Sequence, residues 1–190
     1  MAVMSIAEAW PTAGQPFTVA DLDRMPDDGR RYELLDGTLI VSPRPTNPHQ
    51  EVAMELGVRL RQVCPPELRV IPEPAVQISA TTEFDPDVVV IRREQVHAAK
   101  CTEPPLLVVE VRSPSTALID LNRKKAAYER FGVPSYWIVD PDVAAPSLTV
   151  FELAGEHYAS AAQVTADERF HARRPFPVQM VPAALVAGLR

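Results

Sequence analysis

Cysteine, long apolar runs and glycine-rich motifs are scarce or missing in this chain, and each absence argues against a class of protein. The two cysteines, Cys64 and Cys101, form no CxxC pair and have no histidine at metal-ligand spacing, so we expect free thiols in a reducing cytoplasm. No apolar run approaches the roughly 20 residues that a membrane-spanning helix needs. The motifs GxGxxG, GxxxxGKS/T, GxSxG and HExxH do not occur. Their absence argues in particular against a serine hydrolase.

Size and charge fit one ordinary globular domain. The chain has 190 residues, of which 46% are hydrophobic and 23% charged. The net charge of −6 argues against binding nucleic acid by bulk electrostatics alone. The first 17 residues contain no Lys or Arg, so they lack the positive start of a secretory signal, and a cytoplasmic location is expected.

We expect residues 1–16 to be flexible and residues 17–190 to form a single domain. Thr18 and Asp21 have the spacing of an approximate capping box. The pattern RYELL, Asp36-Gly37, TLIVS predicts a hairpin with a two-residue turn, and residues 48–63 have helical periodicity. Further strands are predicted in RVIPE, AVQIS, DPDVVVI, PPLLVVEVRS and SYWIVDP, with a closing hairpin near the C-terminus.

This order of elements predicts a mixed β-sheet flanked by helices, an α/β or α+β domain. The most apolar strand, PPLLVVEVRS, is expected at the centre of the sheet. A helix over residues 117–131, capped by Ser115 or Thr116 and ended by Gly132, should connect it to SYWIVDP by a right-handed parallel crossover.

Acids beside buried strands are the strongest chemical signal. Asp87 precedes VVVI, and Glu110 interrupts LLVVEV. A carboxylate in such a run is costly unless a charge or hydrogen bonds compensate it. If the two strands pair, both acids can converge on a hard cation such as Mg²⁺. The alternative is structural: Asp87 caps a turn, and Glu110 pairs with Arg112 or another base.

Other polar residues are weaker candidates. Asp120, Lys124 and Tyr128 share one helical stripe, where Lys124 could orient a water or simply pair with Asp120 on the surface. Glu33, near the hairpin turn, is either a further metal ligand or a partner of Arg31. His49 opens the first long helix, and a cap or surface position suits a lone histidine better than a catalytic one.

Taken together, several segments resemble the Uma2 family of restriction endonuclease-like proteins within the PD-(D/E)XK nuclease superfamily. They span roughly residues 17–155, and they are RYELLDG, the helix start at His49, DPDVVV, VVEVRSPST, the Asp120–Lys124–Tyr128 spacing and GVPSYWIVDP. The resemblance implies a mixed central sheet flanked by helices. It also implies hydrolysis of DNA phosphodiesters that depends on Mg²⁺, with Mn²⁺ as a substitute.

The resemblance also assigns site residues. Asp87, Glu110 and Glu33 match the acids that hold the metal and act in catalysis. The superfamily pattern has a lysine two residues after the second acid, but Arg112 stands there, and Lys124 on the following helix takes the catalytic lysine's place. Arg112 and Arg123 are candidate contacts for substrate phosphate.

Two other functions remain open at the level of sequence. One is a catalytically inactive nuclease-fold module that binds nucleic acid or a protein partner. The other is a hydrolase of a different phosphate ester. No membrane association is expected, and a homodimer would suit an enzyme that cuts both strands of a duplex.

Overall fold

The structure is a computed structural model that describes residues 14–113 and 120–190. Most of the segment expected to be flexible, 1–16, and the helix cap predicted at Ser115 or Thr116 lie outside these ranges. The strands are β1 Arg30–Leu35, β2 Thr38–Pro43, β3 Leu68–Pro72, β4 Val76–Ser79, β5 Thr82–Phe84, β6 Val88–Arg92, β7 Leu107–Val111, β8 Ser135–Asp140, β9 Ser147–Ala154, β10 His157–Thr165, β11 Phe170–Ala172 and β12 Val178–Met180. The α-helices are α1 Val19–Leu22, α2 Asn47–Val63, α3 Lys125–Phe131 and α4 Pro182–Leu185.

Local sequence signals account for several element ends. Thr18 and Asp21 form the predicted capping box at the start of α1. Asp36 and Gly37 turn the β1–β2 hairpin with φ of 47° and 78°, the left-handed values that a two-residue turn requires. Gly132 ends α3 in the left-handed region with φ of 88°. A π-helical turn over Asp120–Lys124 precedes α3, in place of the start of the regular helix predicted over 117–131.

The main sheet has six strands in the order β10-β9-β8-β7-β6-β3. Strand β7 pairs in parallel with β8, and the other neighbours are antiparallel, which confirms a mixed sheet with PPLLVVEVRS at its centre. A second sheet, in the order β2-β1-β5-β4, contains the hairpin and the AVQIS strand. The sequence did not predict this separation or the three-residue strand β5, because periodicity does not show which sheet a strand joins.

Two apolar cores lie on the two faces of the main sheet. One contains Val88 and Val109 and packs against α2 through Leu56. The other contains Val89 and Val108 and packs against the second sheet and α3. Tyr136 and Trp137 on β8 are fully buried. The site described next lies on the second of these faces, where the two sheets meet.

Within residues 14–113 and 120–190, no helix combines the length and the apolar character needed to cross a membrane.

Candidate active site

Strands β6 and β7 bring the two strongest candidate acids together. Val88 pairs with Val109 and Val89 with Val108, so the continued register places Asp87 opposite Glu110. Residues directly opposite in an antiparallel pair share one face and have Cβ atoms about 4.5–5.5 Å apart. Both side chains are 2% exposed and line the same cavity. The convergence expected from the sequence is therefore present.

Asp87 is held by three groups from different elements. His49 at the start of α2 contacts Asp87 Oδ1 through Nε2 at 2.9 Å, and the Val111 amide donates to Oδ2 at 2.6 Å. The Arg31 guanidinium lies 3.8 Å from Oδ1. Burial by itself would raise the pKa of Asp87, but these partners outweigh it and lower the pKa. Asp87 is thus an ionised acceptor, so His49 Nε2 carries the proton in this contact.

Lys124 lies between the other two acids. Its Nζ donates to Glu33 Oε1 at 2.8 Å and to Glu110 Oε1 and Oε2 at 3.2 and 3.3 Å. The Tyr128 hydroxyl also donates to Glu110 Oε1, at 3.2 Å. Lys124 is 2% exposed and lies 5.3 Å from the centre of the Phe84 ring. The alternative that Lys124 is a solvated surface residue is therefore wrong. Its hydrogen bonds link β1 of the second sheet to β7 of the main sheet.

These groups surround a cavity of about 200 Å³ that carries charges of both signs. Its acidic lining residues are Glu33, Asp87 and Glu110. The cationic lining residues are Arg31, Arg44, Arg112 and Lys124. Arg31 is largely buried, which by itself would lower its pKa, but the carboxylates of Glu33, Glu110 and Asp87 raise it. A pocket that pairs carboxylates with permanent cations suits a ligand that also carries both charges, such as a metal with a phosphate group.

The remaining sequence candidates fall in different places. Arg112 lines the cavity but pairs with Asp140, so the expected pairing of Glu110 with a base is made by Lys124 and not by Arg112. Arg123 is exposed and lines a separate groove beside Asp36 and Arg130. The side chain of Asp120, which was considered as a partner of Lys124, lies outside the described part of the structure.

The sequence did not predict that His49 and Arg31 both contact Asp87 in the site. The partner of His49 is 38 residues away, so no local pattern could indicate the contact. Arg31 had a usable signal: it stands two residues before Glu33 on β1, and residues at that spacing share one face of a strand. A strand that presents an acid to the site also presents a base there.

The carboxylates of the cavity are suitable ligands for a hard divalent cation, although their side chains do not form a complete coordination site in this structure. Within the described ranges, no three His, Cys, Asp or Glu side chains are grouped so as to hold a metal ion. Carboxylate oxygens are nevertheless the ligands that Mg²⁺ prefers, and two of them with waters and substrate oxygens suffice. The Lys124 ammonium supplies positive charge between Glu33 and Glu110.

Asp85 gives this region a pH-dependent stability. Burial, followed by the neighbouring Glu33 carboxylate, raises the pKa of Asp85 to about 6. Because the folded protein retains this proton more tightly than the unfolded chain, stability falls as the pH rises from about 4 to 6. Asp85→Asn is therefore expected to raise the free energy of unfolding at pH 7 by about 1–3 kcal/mol in EDTA, with little effect at pH 4. Urea denaturation at both pH values measures this, and an equal gain at both would refute the assignment.

Two comparisons with known proteins bear on this geometry. The family model described as "Uma2: Putative restriction endonuclease" matches residues 19–185. The fold resembles the crystal structure of "a putative nuclease belonging to DUF820 from Anabaena variabilis ATCC 29413", with a TM-score of 0.72, 18% identity, and coverage of 92% of this chain and 100% of that chain. At this identity the likeness establishes the fold alone. No curated protein matches the chain.

Proposed function

Because the chain belongs to the Uma2 family, whose model covers residues 19–185, we propose that it is a nuclease that hydrolyses DNA phosphodiester bonds with Mg²⁺. The observation that carries this proposal is the convergence of Asp87, Glu110, Glu33 and Lys124 on one cavity. Three buried carboxylates in a partly hydrophobic setting are costly unless cations compensate them. In a metal-dependent phosphodiesterase, the bound cation would offset the free-energy cost of burying these carboxylates.

Asp87 and Glu110 would hold Mg²⁺, with Glu33 contributing directly or through a water. Bound there, Mg²⁺ would activate a water and neutralise charge on the phosphate, and Mn²⁺ could replace it. His49 orients the Asp87 carboxylate through its Nε2 contact, and Tyr128 orients Glu110 through its hydroxyl. Such outer partners fix ligand geometry, and removing them typically lowers metal affinity about 10- to 100-fold.

Lys124 is the chain's own cation beside the reacting centre. Its ammonium donates to Glu33 and Glu110 and places a positive charge between these two buried side chains. During hydrolysis we expect it to orient the attacking water or to stabilise the negative charge that develops on the phosphate. Lys124 lies at the end of the π-helical turn before α3. We expect it to take the catalytic role that a lysine two residues after Glu110 has in the superfamily pattern.

Duplex DNA is the proposed substrate, and a homodimer would suit cleavage of both strands because two-fold symmetry matches a duplex. The net charge of −6 argues that contacts to the phosphate backbone are local and that bulk attraction contributes little. Cleavage of supercoiled DNA with Mg²⁺, with Mn²⁺ and with EDTA tests the activity. A small phosphodiester in the same series separates a nuclease from a hydrolase of another phosphate ester.

Metal binding tests the proposal independently of activity. Calorimetric titration with Mg²⁺ or Mn²⁺ should show binding to the wild type and at least a tenfold weaker affinity for Asp87→Asn. The variant Asp167→Asn, at an exposed aspartate that does not line the cavity, should bind as the wild type does. Absence of binding to the wild type would contradict the proposal.

One observation favours an inactive module as the second candidate. Lys124 already pairs with both Glu33 and Glu110 and offsets one of their two negative charges, so the folded chain has less need of a metal there. In that case the cavity would hold a nucleic acid or a protein partner without cleavage. The calorimetric titration discriminates between the two, because the module predicts a wild type that binds no divalent cation.

A further inference from the structure

Arg31 is the least satisfied charge in the cavity. It lies on β1 with its side chain mostly buried, and its Nη1 is 3.8 Å from Asp87 Oδ1. That distance is too long for a hydrogen bond. Its Nη2 is buried and has no hydrogen-bond partner within residues 14–113 and 120–190. A buried guanidinium donor without an acceptor is costly, so an absent acceptor is the simplest account of its position.

A second buried nitrogen in the cavity lining is also unsatisfied. His49 is 7% exposed and uses Nε2 on Asp87, while its Nδ1 finds no partner in the described part of the chain. Arg112 adds a third such atom, since its Nε is buried and unpartnered among the described residues although Nη1 reaches Asp140. With its proton on Nε2, His49 Nδ1 is an acceptor, whereas Arg31 Nη2 and Arg112 Nε are donors. The two unpaired guanidinium donors point to a ligand rich in acceptor oxygens.

The other cations of the cavity are committed elsewhere. Lys124 donates to Glu33 and Glu110, and Arg44 pairs with the exposed Asp27 at 2.8 Å. The carboxylates repel an anion, so an anionic ligand needs a permanent cation close to Asp87. Arg31 meets this requirement, because a guanidinium stays charged at all ordinary pH values and offers a planar pair of donors.

We propose that Arg31 forms an anion subsite next to the carboxylates, which takes a phosphate group through two of its oxygens. This inference rests on the proposed function and deepens it, since it names the residue that would hold the substrate's phosphate. It does not depend on a metal. Within one strand, Glu33 then serves the cation and Arg31 the anion, two residues apart on one face.

The test is phosphate binding in EDTA, measured by calorimetry with inorganic phosphate and, separately, with a thymidine dinucleotide. The wild type is expected to bind the dinucleotide, and Arg31→Met is expected to lose at least tenfold in affinity. Arg93→Met, at an exposed arginine outside the cavity, is the matched control and should not change it. Binding of inorganic phosphate alone would identify a free anion as the ligand instead of a diester.

Further arms separate this inference from the proposed function. Arg31→Met should still bind Mn²⁺, because Asp87, Glu110 and Glu33 remain. If Arg31→Met does not fold, Arg31→Lys keeps the charge beside Asp87 but loses the planar fork, and it should still bind phosphate more weakly than the wild type. Equal phosphate affinity in wild type and the folded variant, or no binding of either probe by the wild type, would overturn the subsite. A wild type that binds phosphate but no metal would overturn only the nuclease proposal.

Discussion

Glu110→Gln is expected to abolish metal-dependent cleavage of DNA, with the rate falling at least about 100- to 1000-fold. Glutamine matches glutamate in shape, and its carbonyl oxygen can still accept from Lys124 and from the Tyr128 hydroxyl. The negative charge that attracts a divalent cation is lost, however, while the packing of the cavity is kept. Initial rates on supercoiled DNA at saturating Mg²⁺ measure the effect, and circular dichroism verifies the fold.

Glu83→Gln is the matched control for this substitution. Glu83 is also a buried glutamate, 4% exposed, and it accepts from Lys100 Nζ at 2.9 and 3.0 Å. It does not line the cavity that contains Glu110. We expect it to keep full cleavage activity. If both variants cut DNA at the wild-type rate, the carboxylates of the cavity have no hydrolytic role.

Lys124→Met should destabilise the metal-free protein by about 3–5 kcal/mol, the usual cost of removing one partner from a buried ion pair. Methionine is unbranched and uncharged, so Glu33 and Glu110 lose the ammonium between them, and the Phe84 ring loses its cation. A divalent cation can offset that loss, so Mg²⁺ or Mn²⁺ should stabilise the variant more than it stabilises the wild type. Urea denaturation in EDTA and with added metal measures both quantities.

Lys100→Met provides the comparison. Lys100 pairs with Glu83 and Asp23 in a similar way, but its side chain is 23% exposed, so water can compensate part of the loss. We expect a smaller destabilisation, about 1–2 kcal/mol, and no selective recovery with metal. A Lys124 variant that metal ions do not rescue would show that its ammonium does not stand where a cation binds.

Much of this architecture could be predicted from local signals. The β1–β2 hairpin has a turn that demands left-handed backbone at Asp36 and Gly37, and the sequence supplies residues that tolerate it. The central strand β7 is apolar throughout except at Glu110, which made that acid conspicuous. An acid inside a buried strand violates the local pattern, and such violations mark sites.

The parts that escaped prediction depend on contacts distant in sequence. Lys124 meets Glu33 across 91 residues and Glu110 across 14, and no periodicity reports either meeting. His49 was predicted to be a cap or surface residue for the same reason, because its contact with Asp87 joins two elements that are distant in sequence. The separation of the hairpin sheet from the main sheet also follows from packing, because the periodicity of a strand does not show which sheet it joins. Sequence identified most of the charged residues but did not predict which of them pair.

The hydrogen bond from Lys124 to Glu33 helps to hold the four-stranded sheet against the six-stranded sheet. Glu33 belongs to the small sheet, whereas Glu110 belongs to the large one, and one ammonium clasps both. Loosening of the small sheet would therefore separate Glu33 from Lys124 and Glu110 before the large sheet unfolds. We expect substitutions beneath the β1–β2 hairpin to disrupt the candidate site while most of the main sheet stays folded.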